Sequence, residues 1–415
     1  MLQRRPRTLY SAFDRFPSQK GAGVHIARFA KALFDARGGG LLYVLGGDGL
    51  PVHQVEEDVE IVRFSTSFPN YLERAQAFTD RLTALLDDAE SSLEIAHFRD
   101  PWSGLAVTSR SPSYATVFEV NGLPSIELPT AYPSAAPSTL AKIKRVEQFV
   151  LEKADAIVTP AATIRNHLVD RGIDANKIQV IPNGADVRPL RTDATSLIAE
   201  SQHSEAEEDR VIRQQPYLLY FGSLHPWQGV ETLIRAFARV RDLNPLRLVL
   251  CCSQESRQAR AYARLAEKLE IEGSRVIWRF ELSAEELAPW VDGALICVAP
   301  LTECARNIIQ GCSPLKILEA MAAGVAVVAS DLPAVRELMT DQIEGLLIPP
   351  DRPADLARAI RVLYEVPELR CRLGRCGRER VESSLTWQHS LAKLSDLYAR
   401  FGLPQESALA QERVQ

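Results

Sequence analysis

One stretch decides the fold of this chain: Cys312-Ser-Pro-Leu-Lys-Ile-Leu-Glu-Ala-Met-Ala-Ala-Gly324-Val-Ala-Val-Val-Ala-Ser330. Ser313 is a favourable N-cap residue, and Pro314 suits the first helical position, where its missing N–H costs nothing. Gly324 is placed to end the helix in a left-handed conformation, and the apolar run after it is typical of a buried parallel strand. Because Ala294 to Pro300 predicts another buried strand, the segment forms a strand–loop–helix–strand unit.

The start of this helix is a candidate anion site. Free N–H groups and the positive end of the helix dipole favour a phosphate there. Lys316 and Glu319 lie three residues apart and share one face, so a cation and a carboxylate flank the site. The amides could hold a diphosphate while Glu319 accepts hydrogen bonds from two ribose hydroxyls. A solvated surface ion pair is the ordinary alternative, but ligands of parallel α/β sheets bind at such strand–loop junctions.

Length and composition limit the possible classes. A chain of 415 residues favours two domains of roughly 200 residues each. Hydrophobic residues make up 46% and charged residues 24%, as in soluble globular proteins. A net charge of −5 argues against a nucleic-acid partner. The seven cysteines show no metal or disulfide spacing, which indicates reduced thiols in a cytoplasmic protein.

The basic segment Met1 to Arg7 is the only feature that suggests a membrane. No apolar run follows it, so we expect no secretory signal. No stretch of the sequence has the length and apolar character of a transmembrane span. Weak peripheral contact with the inner face of a membrane stays open, although three arginines seldom suffice for it.

Alternating strand and helix patterns predict a doubly wound α/β fold with mostly parallel sheets. A polar, acidic stretch interrupts the alternation and is typical of an inter-domain linker. We therefore predict a first domain over 1–190, a linker over 191–215, a second domain over 216–385, and a helix within 386–403 that crosses back to the first domain.

Four segments in chain order form a recognisable series. They are Glu152-Lys-Ala-Asp-Ala-Ile-Val-Thr159 with Val180-Ile-Pro-Asn-Gly-Ala-Asp186, Tyr220-Phe-Gly-Ser-Leu224, Gly229-Val-Glu-Thr-Leu-Ile-Arg-Ala-Phe237, and the opening stretch. In this order they resemble the family-4 retaining glycosyltransferases of the GT-B superfamily (glycosyl transferases group 1), over about Gly21 to Glu337. The resemblance implies two Rossmann-like domains that face each other across a cleft and close on the donor by a hinge.

The resemblance also implies a reaction. A hexosyl group moves from a UDP- or GDP-linked donor to the hydroxyl of a carbohydrate, lipid or small-molecule acceptor, with retention of configuration, in glycan or glycoconjugate biosynthesis. The main requirement is electrostatic stabilisation of the departing diphosphate. No cofactor is expected, and the absence of an Asp-x-Asp pair in a strand-end loop agrees with metal-independent chemistry.

The donor-binding residues implied by the resemblance come from both domains. Besides Glu319, they are Gly311, Cys312, Ser313, Pro314 and Leu315 around the helix start, Gly222, Ser223 and Gln228 early in the second domain, Arg279 and Phe280 beside the base, and Gly21 and Gly23 of a first-domain glycine loop.

Three positions depart from the family pattern. An acidic residue is usual eight positions before the helix glutamate, where this chain has Gly311. An Arg and a Lys usually contact the diphosphate, and Ser223 and Gln228 occupy their places. Because an uncompensated buried charge is costly, we expect Lys316 and Arg306 to replace these cations in catalysis. A solvent-exposed loop position is the alternative for Arg306.

The first domain supplies further candidates at strand ends, where parallel sheets place functional groups. Asn121 stands where the family has a histidine, and Glu119 lies beside it, so both are predicted to be catalytic. His97, Arg99 and Asp100 form a polar group that we expect on the acceptor side. A purely structural role is the alternative for the histidine.

Rival functions remain at this stage. A dinucleotide-dependent oxidoreductase would need G-x-G-x-x-G, and Lys20-Gly-Ala-Gly-Val-His25 lacks the third glycine. A sugar-nucleotide epimerase would need charged groups on both sides of the sugar, and Gly311 does not supply one. A catalytically silent nucleotide-binding homologue stays open. The sequence leaves the sugar, the base and the acceptor unassigned.

Overall fold

The structure of the protein is a computed structural model that describes residues 5–18, 20–47, 49–89, 92–110, 112–189 and 207–402. The chain divides into two compact units. Unit 1 comprises residues 1–182 with 388–415, and unit 2 comprises residues 183–387. Most of the predicted linker and the end of the chain after Gly402 lie outside the described residues, as do the first four of the basic N-terminal residues.

Both units are built on parallel sheets. The strands of unit 1 are β1 Thr8–Arg15, β2 Gly40–Leu45, β3 His53–Glu56, β4 Val59–Phe64, β5 Ile95–Phe98, β6 Ala115–Glu119, β7 Ala156–Thr159 and β8 Ile178–Val180. Those of unit 2 are β9 Tyr217–Gly222, β10 Arg247–Cys252, β11 Val276–Phe280, β12 Ile296–Ala299, β13 Ala326–Ser330 and β14 Leu346–Ile348.

The strand order shows the doubly wound topology. In the described part of unit 1 it is β3-β4-β2-β1-β5-β6-β7-β8, and in unit 2 it is β11-β10-β9-β12-β13-β14. Only the β3–β4 pair is antiparallel among these described strands. Strand β3 has no strand signal in the sequence, because its largely exposed residues lack the apolar run of a buried parallel strand.

Helices pack on the two sheets. They are α1 Gly21–Asp35, α2 Tyr71–Ala89, α3 Pro101–Thr108, α4 Pro124–Ala131, α5 Pro137–Lys153, α6 Ala162–Asp170, α7 Glu207–Arg213, α8 Val230–Phe237, α9 Ser256–Lys268, α10 Ala284–Asp292, α11 Leu315–Ala322, α12 Pro333–Arg336, α13 Pro353–Glu365, α14 Pro367–Ser384 and α15 Trp387–Ala399. In unit 2 they cover both faces of the sheet and enclose two apolar cores. The predicted α/β fold class is confirmed.

The segment from Ala294 to Ser330 forms β12, a loop, α11 and β13, as predicted. Gly324 follows α11 with a φ of +73°, the left-handed conformation expected of a helix-terminating glycine. The predicted N-cap is corrected, because α11 starts at Leu315 and Pro314 occupies the cap position without a side-chain cap. The Ser313 hydroxyl instead accepts a hydrogen bond from the Asn183 amide at 3.1 Å.

The first-domain glycine loop also needs a correction. Gly21 and Gly23 form the first turn of α1, which has Lys20 as its N-cap, so both glycines belong to the helix and not to a loop before it. A glycine is required at position 23, since a Cβ there would lie 2.2 Å from the Ser18 carbonyl oxygen.

The boundary between the units lies at Pro182–Asn183, not after residue 190. Local contacts explain the shift, because the Ala185 amide donates to the Leu385 carbonyl at 3.0 Å within unit 2. At the other end of the chain, α15 returns to unit 1, where Ser390 Oγ donates to the Pro182 carbonyl at 2.7 Å. Across the ranges that the structure describes, no helix combines the length and apolar character needed to cross a bilayer.

Candidate functional site

The ammonium group of Lys316 lies in an enclosed pocket of unit 2. The residue is only 8% exposed, although it belongs to the first turn of α11. Its Nζ lies 4.1 Å from the centroid of the Tyr220 ring and donates to Gln228 Oε1 at 2.6 Å. The ring face and the amide oxygen are uncharged, so they solvate the cation without neutralising it. A solvated surface pair with Glu319 is therefore excluded.

Burial affects the charge of this lysine. Burial, with a smaller contribution from repulsion by Arg306, lowers the pKa of Lys316 to about 8. Among the described residues, the recorded contacts of the ammonium are the Gln228 amide oxygen and the Tyr220 ring, and neither is an anion. A bound anion would supply an anionic partner.

Gly222 makes room for the ammonium. It ends β9 with a φ of +128°, a conformation that favours glycine, and a Cβ there would lie 3.2 Å from Lys316 Nζ. The next residue, Ser223, accepts a hydrogen bond from the Tyr220 hydroxyl through its carbonyl, which holds the turn after the strand against the ring.

Glu319 provides an unpaired carboxylate one turn further along α11. The residue is half-buried, and no hydrogen bond or ion pair joins its carboxylate to another part of the described chain. Burial raises its pKa to about 7, Arg188 and Lys316 oppose the rise, and Asp186 adds to it. A carboxylate in this state is a strong acceptor for hydroxyl donors.

Arg306 opens a π-helical turn, Arg306–Gln310, and does not lie in an open loop. Its guanidinium carbon lies 5.5 Å from the centroid of the Trp227 ring, and Nη1 donates to Asn307 Oδ1 at 3.1 Å. Asn307 in turn donates to the carbonyls of Trp227 and Thr302 at 2.9 and 2.8 Å. These bonds fix the turn against the short 3₁₀ segment Pro226–Gln228, which carries the amide that contacts Lys316.

The departure at position 311 has a local reason. Gly311 follows the π-helical turn with a φ of +70° and a ψ of −175°, a combination adopted almost only by glycine. An acidic residue could occupy this position only with backbone strain. Cys312 and Leu315 are partly exposed beside it, whereas Pro314 is buried.

Arg279 and Phe280 end β11, where the resemblance placed them beside the base. Arg279 forms an ion pair with Asp209 of α7 and stacks at 5.7 Å over the Trp290 ring. Phe280 is half-buried and stacks on Trp278 with their ring planes 4° apart. Since Arg279 already has an anionic partner, its predicted contact with a nucleotide would require that pair to open.

Glu119 is the centre of a buried network in unit 1. It is only 1% exposed, and five side chains place a nitrogen or hydroxyl within hydrogen-bond or ion-pair distance of its two oxygens. They are Tyr10 OH at 2.8 Å, Arg99 Nε at 2.9 Å, His25 Nε2 at 2.8 Å, His97 Nε2 at 3.1 Å, and the Asn121 amide. Burial alone would raise its pKa, but His25 and Arg99 hold the pKa well below its usual range.

This network corrects the predicted catalytic role of Glu119. A permanently ionised carboxylate that is saturated with donors has neither the exposure nor the free lone pairs for substrate chemistry. Asn121, at the end of the same strand, directs its amide inward to this carboxylate. Arg99 is 8% exposed and also contacts Asp14 Oδ2 at 3.3 Å, so its predicted acceptor role gives way to an internal ion pair.

His97 is structural, the alternative stated for it. Burial lowers its pKa, so the ring is neutral near pH 7. Because a carboxylate can only accept, Nε2 must carry the proton toward Glu119, and Nδ1 accepts from the Tyr398 hydroxyl at 2.7 Å. The histidine thus joins α15 to the core of unit 1.

Asp100 is a helix cap and not a free acceptor-side group. Its carboxylate accepts from the Ser103 amide and hydroxyl, both at 2.8 Å, and from the Phe13 amide at 2.7 Å. Burial raises its pKa to about 6 in spite of these bonds. They hold the end of β1 against the start of α3.

Sequence reasoning missed several residues of both groups. Tyr220 and Asn183 lie within motifs quoted for the resemblance, so their positions were signalled although their roles were not. Tyr10, His25 and Tyr398 have no local signal, because β1, α1 and α15 bring them together only in the folded unit. Among the described residues, no cluster of three or more His, Cys, Asp or Glu side chains could hold a metal ion.

Comparisons with known proteins agree with this architecture. A family model described as Glycosyltransferase Family 4 matches residues 19–188, and one described as Glycosyl transferases group 1 matches residues 215–365. The alpha-maltose-1-phosphate synthase of Mycobacterium tuberculosis is 28% identical over 272 residues, which cover 61% of this chain and 65% of that protein. A D-inositol 3-phosphate glycosyltransferase of Geodermatophilus obscurus is 29% identical over 288 residues, 67% of this chain and 59% of its own length.

Solved structures show the same fold. Sucrose-phosphate synthase from Thermosynechococcus elongatus superposes with a TM-score of 0.76 at 19% identity, over 95% of this chain and 98% of its own. Anabaena Alr3699/HepE in complex with UDP-glucose superposes with a TM-score of 0.72 at 14% identity, over 95% and 99%. With both units matched by consecutive family models and the whole architecture shared, this chain belongs to the family-4 glycosyltransferases of the GT-B fold.

Proposed function

We propose that the protein is a retaining glycosyltransferase that moves a sugar from a nucleotide-diphosphate donor to an acceptor hydroxyl. One observation carries the proposal. Two charged residues occupy one face of α11: Lys316, whose contacts within the described part of the chain are uncharged, and Glu319, whose carboxylate has no partner there. Isolated charges in such positions are costly, and a ligand that brings an anion beside hydroxyl groups would compensate both.

The diphosphate of the donor fits the cationic part of this face. Lys316 and the first amides of α11, which have no acceptor within the helix, would bind its oxygens. Arg306 lies close enough to influence the charge of Lys316 and would supply the second cation. These two residues thereby replace the cations absent at Ser223 and Gln228. The donor observed with Anabaena HepE, UDP-glucose, is of this chemical class.

The ribose of the donor fits Glu319. Two neighbouring hydroxyls can donate to the two oxygens of one carboxylate, and hydrogen bonds to a charged acceptor are the stronger kind. Such donors favour the ionised form, so binding would return the raised pKa of Glu319 toward its ordinary value.

The transfer needs no covalent enzyme intermediate. The bond between the anomeric carbon and the diphosphate oxygen breaks, and its electron pair remains on that oxygen. The acceptor oxygen forms the new bond on the same face of the sugar, and its proton passes to the departing phosphate oxygen. Configuration is then retained, and the protein's main task is to stabilise the developing negative charge through Lys316, Arg306 and the helix amides.

A double-mutant cycle between protein and ligand tests the ribose assignment. Wild type and Glu319→Gln are each titrated with two ligands: UDP or GDP, and the matching 2′-deoxynucleotide. The four dissociation constants form the cycle. Losing a hydrogen bond to a charged group costs ~1.5–3 kcal/mol, so we expect wild type to prefer the ribonucleotide about 10- to 100-fold. Glu319→Gln should lose most of that preference, whereas Glu285→Gln, at an exposed site of α10, should keep it.

Two results would count against the proposal. Equal preference for the ribonucleotide in wild type and Glu319→Gln would remove Glu319 from the donor site. Donor binding without release of nucleoside diphosphate, tested over a panel of nucleotide sugars and acceptors, would leave a binding protein and exclude transfer.

A further inference from the structure

In unit 1, Arg74, in the first turn of α2, is a cation that pairs with no anion among the described residues. Its guanidinium carbon lies 5.5 Å from the centroid of the Phe13 ring and 6.0 Å from that of Tyr71. Its Nε is buried and has no hydrogen-bond acceptor, and no ion pair joins it to the residues that the structure describes. An arginine offers five N–H donors, and a buried donor left unused is costly. The geometry therefore indicates that an external acceptor completes this group.

Aromatic side chains surround this arginine. We call Phe13, Tyr71, Trp102 and Tyr132 the aromatic cluster. The Tyr71 ring centroid lies 5.7 Å from that of Phe13, 6.1 Å from Trp102 and 6.2 Å from Tyr132. Trp102 Nε1 donates to the Tyr71 hydroxyl at 3.0 Å. Tyr132 is 46% exposed, so part of the cluster faces solvent.

The aromatic cluster lies where parallel α/β sheets bind ligands. Phe13 is near the end of β1, and Trp102 follows the adjacent strand β5. From β1 the strand order runs to β2 on one side and to β5 on the other, which makes this the topological switch point of the sheet. Tyr71 begins the helix that follows β4, and Tyr132 follows α4. The chain thus brings one strand and three connecting segments to this edge.

The frame of the cluster is held rigidly. The Asp100 carboxylate caps α3 through Ser103 and also accepts from the Phe13 amide. With three donors already bound, Asp100 forms no pair with Arg74. Asn70 caps α2 by accepting from the Leu72 amide at 2.8 Å, which fixes the turn that carries the arginine. A pre-organised aromatic surface beside an unused guanidinium is suited to a ligand that is partly apolar and partly anionic.

We propose that Arg74 and the aromatic cluster form the acceptor subsite, and that the acceptor is a sugar bearing an anionic group, a phosphate or a carboxylate. This inference rests on the proposed function. The C–H face of the sugar ring packs on the exposed aromatic rings, and the guanidinium forms the two parallel hydrogen bonds that it makes with phosphate or carboxylate. The anionic sugar can be a free sugar phosphate or acid, or the headgroup of a glycolipid.

The test measures binding by the full chain without any donor. Isothermal titration uses glucose 1-phosphate, glucose 6-phosphate and glucuronate as charged probes, and glucose as the neutral one. Flotation with vesicles of phosphatidylinositol in phosphatidylcholine, against phosphatidylcholine alone, tests the lipid source. We expect at least one charged probe to bind ten times or more tightly than its neutral counterpart. Arg74→Gln should remove that difference, and Tyr132→Ala should weaken every sugar probe.

A matched control separates this effect from a general loss of positive charge. Arg81 lies on the same helix at an exposed position, so Arg81→Gln should bind all probes as wild type does. Thermal melting of each variant shows whether it is folded. Arg74→Lys keeps the positive charge but cannot form the two parallel hydrogen bonds of a guanidinium, so its affinity for the charged probes should lie between those of wild type and Arg74→Gln.

The outcomes are distinct. If no charged probe is preferred over its neutral counterpart, or if Arg74→Gln keeps the preference, the subsite is refuted. Binding of UDP or GDP, measured on the same samples, reports on the proposed donor site around Lys316 and Glu319. If wild type binds the nucleotide but does not prefer charged sugar probes over neutral ones, only the acceptor subsite is overturned. If wild type does not bind the nucleotide at all, the proposed function is overturned.

Discussion

The charge of Lys316 predicts how donor binding depends on pH. Burial lowers its pKa to about 8 in the ligand-free protein, and its contacts, Gln228 and the Tyr220 ring, are uncharged. A diphosphate binds the ammonium and not the neutral amine. The contribution of Lys316 to donor affinity should therefore be full below about pH 7 and fall as the pH rises through the pKa.

The size of the effect follows from the titration. With a pKa near 8, about nine tenths of the side chain is protonated at pH 7 and about one tenth at pH 9, since each pH unit beyond the pKa costs about 1.4 kcal/mol. The Kd for UDP or GDP should thus rise about tenfold between pH 7 and pH 9. Isothermal titration in buffers of different ionisation enthalpy should also detect proton uptake on binding near pH 8.

Two variants control for other titrating groups. Lys316→Arg keeps a positive charge at every pH in this range, so its Kd should stay flat whatever its absolute value. Titration of the nucleotide itself would appear in wild type and variant alike. Lys316→Gln should bind weakly at all pH values. A wild-type Kd that changes less than twofold between pH 7 and pH 9, or an equal slope in Lys316→Arg, would refute the assignment of this lysine to the diphosphate.

Two further substitutions test the supporting structure. Gly222→Ala should lower stability by ~1–3 kcal/mol through its backbone conformation and also raise the donor Kd, because the new Cβ would lie 3.2 Å from the lysine ammonium. Gly38→Ala is the control, because residue 38 also has a positive φ, +70°, but a Cβ there would have no atom within 4 Å. This variant should lose stability and keep the donor Kd of wild type, and an equal Kd in Gly222→Ala and Gly38→Ala would contradict the reasoning. Glu119→Gln should destabilise unit 1 by ~3–5 kcal/mol, since it removes the buried carboxylate partner of Arg99 and leaves only the partly exposed Asp14 at 3.3 Å. The control is Glu94→Gln, which breaks an ion pair whose carboxylate is 32% exposed and should lower the free energy of unfolding by under ~1 kcal/mol in urea denaturation. Equal losses of stability in Glu119→Gln and Glu94→Gln would show that burial does not set the cost.

The two halves of the fold were predictable because their signals are local. Buried parallel strands appear as apolar runs, and the Ser313 to Ser330 segment combines helix-start and helix-end residues with such a run. Boundaries were less accurate. The start of α1 was missed because Gly21 and Gly23 are poor helix formers, and only the close approach of the Ser18 carbonyl shows why a glycine stands in that first turn.

The candidate site was predictable only in part. Spacing along one helix was enough to place Lys316 and Glu319 on a common face. It could not show that one is enclosed by Tyr220 and Gln228 while the other has no partner, since those contacts come from β9 and a 3₁₀ turn far away in sequence.

The fold class, the family and a helix with Lys316 and Glu319 on one face could be predicted from the sequence, because periodicity and short-range spacing are properties of neighbouring residues. Which of these charges a ligand can reach depends on contacts that form only in the folded chain. The strand-end position of Glu119 predicted a catalytic role, yet side chains on or next to three other elements surround its carboxylate. Arg74 carried no signal in the sequence, and none of the described residues accepts a hydrogen bond from its guanidinium. Burial and pairing depend on residues far apart in the chain, and they set the free energy of each charge.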